Sequence, residues 1–145
     1  MKTFYRQDKV LFEDVDLFET VYHVTYFKYL DRARNSALSS VGLGLSDLRP
    51  KDLGVLIYEI SSKFVKPAKL DDELHIYTRV PSVVGPLITI EHSITLEKND
   101  IKEEDFKKFK NVIHTGSAKA VIMSISNKSL IGKVPTFIQE GLQNN

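Results

Sequence analysis

One stretch of this chain carries a long helical period, and the segments after it alternate. Tyr26, Leu30, Ala33, Ala37 and Val41 recur at helical spacing on one stripe, with Lys28, Asp31, Arg32 and Asn35 largely off it. The spacing predicts a helix that begins near residues 21–24 and runs to about Val41, stopped by Gly42 and Gly44. Ala33 and Ala37 are small enough to let a sheet approach the helix axis closely. A single long amphipathic helix needs a large partner surface, and only strands remain to supply it.

Residues 4–12 read as a first strand, ahead of the helix. Four more are expected at 55–65, 73–83, 87–98 and 112–125, joined by short turns at Pro67 to Asp72 and at Gly85-Pro86. In the third, Leu74, Ile76, Thr78 and Val80 alternate with His75, Tyr77 and Arg79; in the fourth, Ile88, Ile90, Ile94 and Leu96 share a face. Residues 46–52 are a polar connection with Pro50. Residues 99–110, NDIKEEDFKKFK, form a charged insertion, read as a solvated link or a short helix with Phe106 and Phe109 touching the body. Residues 135–142 suggest a short terminal helix after a proline. One long helix and a mostly antiparallel sheet require a two-layer α+β arrangement. Both phases of 55–58 and 112–125 are apolar, more than one helix can cover, so a homodimer at least is expected.

Composition narrows the chemistry. At 145 residues the chain suits a single domain over 1–145 with its own core. A net charge of +1 gives no electrostatic case for nucleic acid. The absence of cysteine excludes disulfides, a thiolate nucleophile and cysteine-held metal sites. No apolar signal core follows Lys2 and no apolar run is long enough to span a bilayer, so a cytoplasmic location is the default expectation.

Just before the helix lies an acidic turn with Asp14 and Asp16. The first backbone N–H groups of a helix have no partner within it, and its dipole favours negative charge there. A carboxylate beside them can attack a carbonyl or take a proton from water while those amides hold the developing oxyanion. The competing reading of Asp16 is a turn or capping aspartate.

Phe12-Glu13-Asp14-Val15-Asp16, then Val21-Tyr22-His23, Tyr26 and Asp31-Arg32-Ala33-Arg34, resembles the 4-hydroxybenzoyl-CoA thioesterase-like family of hotdog-fold acyl-CoA thioesterases. Phe64-Val65-Lys66-Pro67-Ala68 onward is similar to that family's proline–alanine turn between strands. The resemblance implies a hotdog fold: a curved antiparallel five-stranded sheet wrapped around one long central helix. It also implies hydrolysis of an acyl- or aroyl-CoA, with sites between the subunits of a homodimer or a dimer of dimers. By position, Asp16 matches the catalytic aspartate and His23 the residue whose amide faces the thioester carbonyl. Where the family usually has glycine, this chain has Phe18-Glu19. Phe18 narrows or reshapes the acyl pocket, and Glu19 brings a second negative charge near Asp16.

Substrate-contact candidates are Phe18, Glu19, Tyr22 and Tyr26, with Lys63 and Lys66 for the phosphates of coenzyme A. Against these stand plainer readings: pocket wall or core for the tyrosines, packing or capping for the His23 side chain, solvated surface for the lysines. Arg32 and Arg34 are expected to hold helix to sheet or to sit at a dimer seam. Asp14 reads as structural, with an arginine as candidate partner. No metal and no cofactor are expected; coenzyme A enters only as part of the substrate. The alternatives are a non-catalytic acyl-thioester-binding hotdog protein, a thioesterase acting on acyl carrier protein, and, more weakly, a hydratase, which needs a histidine arrangement not found here.

Overall fold

The structure, a computed structural model, describes residues 1–144. Strand β1 (Phe4–Lys9) opens the chain, and helix α1 (Thr25–Ser40) follows the acidic turn. A helical turn, α2 (Leu45–Leu48), leads to β2 (Leu53–Phe64), β3 (Glu73–Val84), β4 (Leu87–Thr95) and β5 (Val112–Ser124). A two-residue strand β6 (Ser129–Leu130) and helix α3 (Thr136–Gln143) close it. All pairings are antiparallel, in the order β1-β3-β4-β5-β2, with β6 added to β5. This is the expected hotdog arrangement.

Helix α1 buries Tyr26, Leu30, Ala33 and Ala37 of the stripe read from the sequence, together with Thr25, Tyr29 and Arg34. It ends as the glycine demands. Gly42 takes a φ of 72°, its N–H donates to Ser39 C=O, and Leu43 N–H reaches back to Leu38 C=O. No side chain caps its start. The inward strand positions form two clusters. Val10, Tyr29, Leu30, Ile76, Ile94 and Ile113 pack near the start of α1; Ala37, Leu48, Val80, Ile90, Ile122, Ile138 and Leu142 pack toward its end.

The first strand ends at Lys9 rather than at residue 12, because residues 12–14 wind into a 3-10 turn tied by Asp14. The connection at 46–52 contains α2 and a second 3-10 turn. In β3, Arg79 faces Glu91 and Ser82 faces Thr89, so Val80 and Pro81 together oppose one residue, Ile90. A bulge there accommodates a proline that has no N–H for the ladder. The charged insertion follows the second of its two readings, a short helical turn at Phe106–Lys108 with both phenylalanines on the body. Phe109 is 7% exposed and packs on Tyr77 with ring centroids 4.6 Å apart. The Arg79 guanidinium lies over Phe106 at 4.0 Å and donates to the Glu103 and Glu104 carbonyls. The insertion therefore covers part of the outer sheet face.

Candidate active site at the start of the long helix

The acidic turn is a short hairpin. Val15 faces Val21, Asp16 N–H donates to Thr20 C=O (3.0 Å), and Tyr22 N–H to Asp14 C=O (3.1 Å). This pairing holds Asp16 opposite Thr20, in the turn that runs directly on into α1. The hairpin is stitched to the turn after β2: Val21 N–H donates to Ala68 C=O and Leu70 N–H to Glu19 C=O. The proline–alanine turn thus fixes the acidic one.

The two carboxylates have separate tasks. Asp14 is buried and accepts from Leu11 N–H (2.9 Å) and the Tyr29 hydroxyl (2.8 Å). Its partner is a tyrosine, not the expected arginine, because Arg32 reaches Asp8 (3.7 Å) and Arg34 turns inward. Burial, then the Asp14 carboxylate, pushes the Tyr29 hydroxyl far above the ordinary tyrosine value, so it stays a donor. Asp16 is exposed. Its Oδ1 accepts from Phe18 N–H (2.8 Å) and, at 3.4 Å, the Thr20 hydroxyl, while its Oδ2 has no partner among the described residues.

The backbone donors are only partly free. The Tyr22 amide is spent on Asp14. The amides of His23 and Val24 donate to no acceptor among the described residues, and no side chain caps the helix. His23, Tyr26, Phe64, Lys66 and Pro67 line a cleft of about 250 Å³ at this end of α1. Asp16 is not in its lining. Phe18 and Tyr22 stand exposed beside the turn, at 84% and 52%, together with Leu17 and Phe12. Glu19 is exposed and holds a φ of 60°, the backbone region that glycine adopts without strain.

Two other candidates follow the plainer readings given to them, pocket wall or core for Tyr26 and surface for Lys63. Tyr26 is buried, and its hydroxyl is committed to Ala68 N–H (3.0 Å), so it braces the turn with only part of its ring on the cleft. Lys63 lies opposite Thr115 and lines a separate outer cleft with Arg79 and Phe106; it is on the other face of the sheet from His23 and Tyr26. A residue not singled out in the sequence stands behind the site. His114 is fully buried, stacks on Tyr26 at 5.3 Å and meets Phe64 edge-on. Burial holds its imidazole down at about 4, so the ring is neutral at pH 7. Nothing in the sequence flagged it, because its neighbours come from two distant elements.

A family model described as the thioesterase superfamily matches residues 18–102, more than half of the chain. The chain belongs to the thioesterase superfamily. Its class is therefore thioester hydrolase. The matched span begins just after Asp16 and ends within the charged insertion. Among relatives, the acyl-CoA thioesterase YbgC of Haemophilus influenzae is 29% identical over 120 residues, covering 77% of this chain and 88% of its own. Among solved structures, the 1,4-dihydroxy-2-naphthoyl-CoA thioesterase Slr0204 from Synechocystis superposes with a TM-score of 0.79 at 18% identity, covering 97% of this chain and 96% of that one. The Staphylococcus aureus protein SAV2348, solved in complex with CoA, gives 0.80 at 13% identity over 99% and 87%. Both share the thioesterase-superfamily fold seen here. No helix among the described residues is long and apolar enough to cross a membrane.

Proposed function

We propose that this chain hydrolyses acyl-CoA thioesters at the start of α1, with Asp16 as the reacting carboxylate. The observation that carries the reading is the uncapped helix start: the unoccupied His23 and Val24 amides follow directly on the short hairpin that holds Asp16. Phe18 N–H fixes Oδ1, which leaves Oδ2 as the oxygen that attacks the thioester carbonyl or takes a proton from water. In the first route a mixed anhydride forms, CoA leaves as the thiolate, and water then cleaves the anhydride. In the second, water adds directly. In both, the amides receive the charge that develops on the carbonyl oxygen, an effect worth about 3 kcal/mol per donor. The names of the relatives, acyl-CoA and dihydroxynaphthoyl-CoA thioesterases, support a CoA thioester as substrate.

The site is completed by a second copy of the chain. Strand β2 is a free edge of twelve residues on which Leu56, Tyr58 and Ile60 are 44–51% exposed. An apolar edge of that length pairs or aggregates. Joining two such edges covers the apolar residues around Asp16 and encloses the reacting carbonyl. Phe18 and Tyr22 then contact the acyl group and Lys66 a CoA phosphate, with Glu19 setting the turn; Lys63, on the outer face, has no part in this arrangement.

A thiol-release assay over aromatic and aliphatic acyl-CoAs of graded length, with acyl carrier protein thioesters beside them, tests the proposal. Turnover of one CoA series is expected. Acyl-CoA binding without thiol release contradicts it and favours the binding-only reading.

A further inference from the structure

A second compartment lies inside the protomer, away from Asp16. It is a cavity of about 230 Å³ between α1, α3 and the inner sheet face, walled by Leu48, Ile57, Ile90, Ala120, Ile122 and Leu142. Native interiors rarely hold voids much larger than a water molecule, and a dry apolar one forfeits dispersion contacts on every wall. One end of this cavity is polar. Arg34 and Thr78 line it there, with Asp31 and Asn35 at the exposed rim of α1.

Arg34 is 7% exposed, yet its charge is only partly answered. One terminal nitrogen donates to His92 Nε2 (3.3 Å), and the other lies 3.5 Å from an Asp31 carboxylate that is itself 63% exposed. Because guanidinium only donates, His92 Nε2 accepts, and the ring gives its Nδ1 proton to Thr78 Oγ1 (3.2 Å). His92 therefore brings no negative charge. The remaining guanidinium N–H groups have no acceptor among the described residues. A buried cation with spare donors at the polar end of an apolar cavity is complementary to one kind of molecule: a carboxylate with a hydrocarbon tail.

We propose that this cavity binds a free medium-chain carboxylic acid, its carboxylate on Arg34 and its tail among the apolar walls facing α3. A cavity of about 150 Å³ accepts benzene, so the volume here suits a tail of about eight carbons. The acid released by thioester hydrolysis belongs to the same chemical class, but this site does not use Asp16 and stands apart from that assignment.

The test is calorimetric titration of the intact protein with octanoate and, separately, 1-octanol at pH 7. The parent is expected to bind one octanoate per chain, about tenfold more tightly than octanol. Ala120→Leu, which fills the cavity, weakens both by about tenfold or more. Arg34→Gln weakens octanoate alone. Asp16→Asn binds octanoate as the parent does. Absence of saturable octanoate binding, equal affinity for acid and alcohol, or undiminished binding by Ala120→Leu overturns the proposal. Loss of binding in Asp16→Asn does so too, because it places the acid at the start of α1. Should Arg34→Gln fail to fold, the acid–alcohol difference in the parent and the Ala120→Leu result decide the question.

Discussion

Glu19 occupies a backbone conformation that disfavours a side chain, at the position where the resembling family carries glycine. Its φ of 60° closes the Asp16 hairpin, and its C=O receives Leu70 N–H. Glu19→Gly is expected to relieve about 1 kcal/mol of strain and to raise Tm by about 2–4 °C, read by calorimetry; a fall in Tm contradicts this. Two buried histidines set the acid limit. Burial holds His114 near 4 and, with the Arg34 charge behind it, His92 near 3. The unfolded chain binds protons at about pH 6.5 that the native state refuses. Stability is therefore whole above that pH and falls as pH drops toward 4 and then 3, by up to about 1.4 kcal/mol per pH unit for each ring. Neither nitrogen of His114 has a partner among the described residues, so a phenyl ring can replace it. His114→Phe is expected to match the parent at pH 7 and to lose less Tm at pH 4.5; an unchanged acid slope contradicts it. The sequence singled out Asp16 as a candidate because carboxylate, turn and helix start are neighbours along the chain, and the structure keeps that acidic turn directly ahead of α1. His92 and His114 were illegible, because their partners Arg34, Thr78, Tyr26 and Phe64 are brought to them only by folding.

Among elements, α1 and the strands were readable because the face each turns to the core is apolar, and that face imposes a period of its own. The inward phases of β3 and β4 came through, with Thr78 and His92 as the polar breaks where Arg34 crosses between the two core clusters. The insertion at 99–110 left two readings open for the opposite reason: its anchors are two aromatics in a highly charged run, and their sites, Tyr77 and Arg79, lie on strand β3. Phe109→Ala is expected to cost about 3 kcal/mol and to lower Tm by roughly 6–12 °C. A change within a degree contradicts a pinned insertion. The bulge at Pro81 and strand β6 left no period to find, since each spans two residues.

For the whole molecule, the edge strand β2 is the proposed seam between two copies. Leu56, Tyr58 and Ile60 on that edge predict a dimer at least, and Ile60→Lys is expected to shift sedimentation toward monomer and to lower turnover together. A monomeric parent, or a monomeric variant with full turnover, contradicts a site completed between two copies. The central claim is that Asp16 supplies the reacting oxygen, and thiol release by Asp16→Asn on the best acyl-CoA substrate tests it most directly. The account predicts a fall in kcat of at least about a thousandfold, with dimer and Tm intact. Hydrolysis at the parent rate by a folded Asp16→Asn dimer would contradict it.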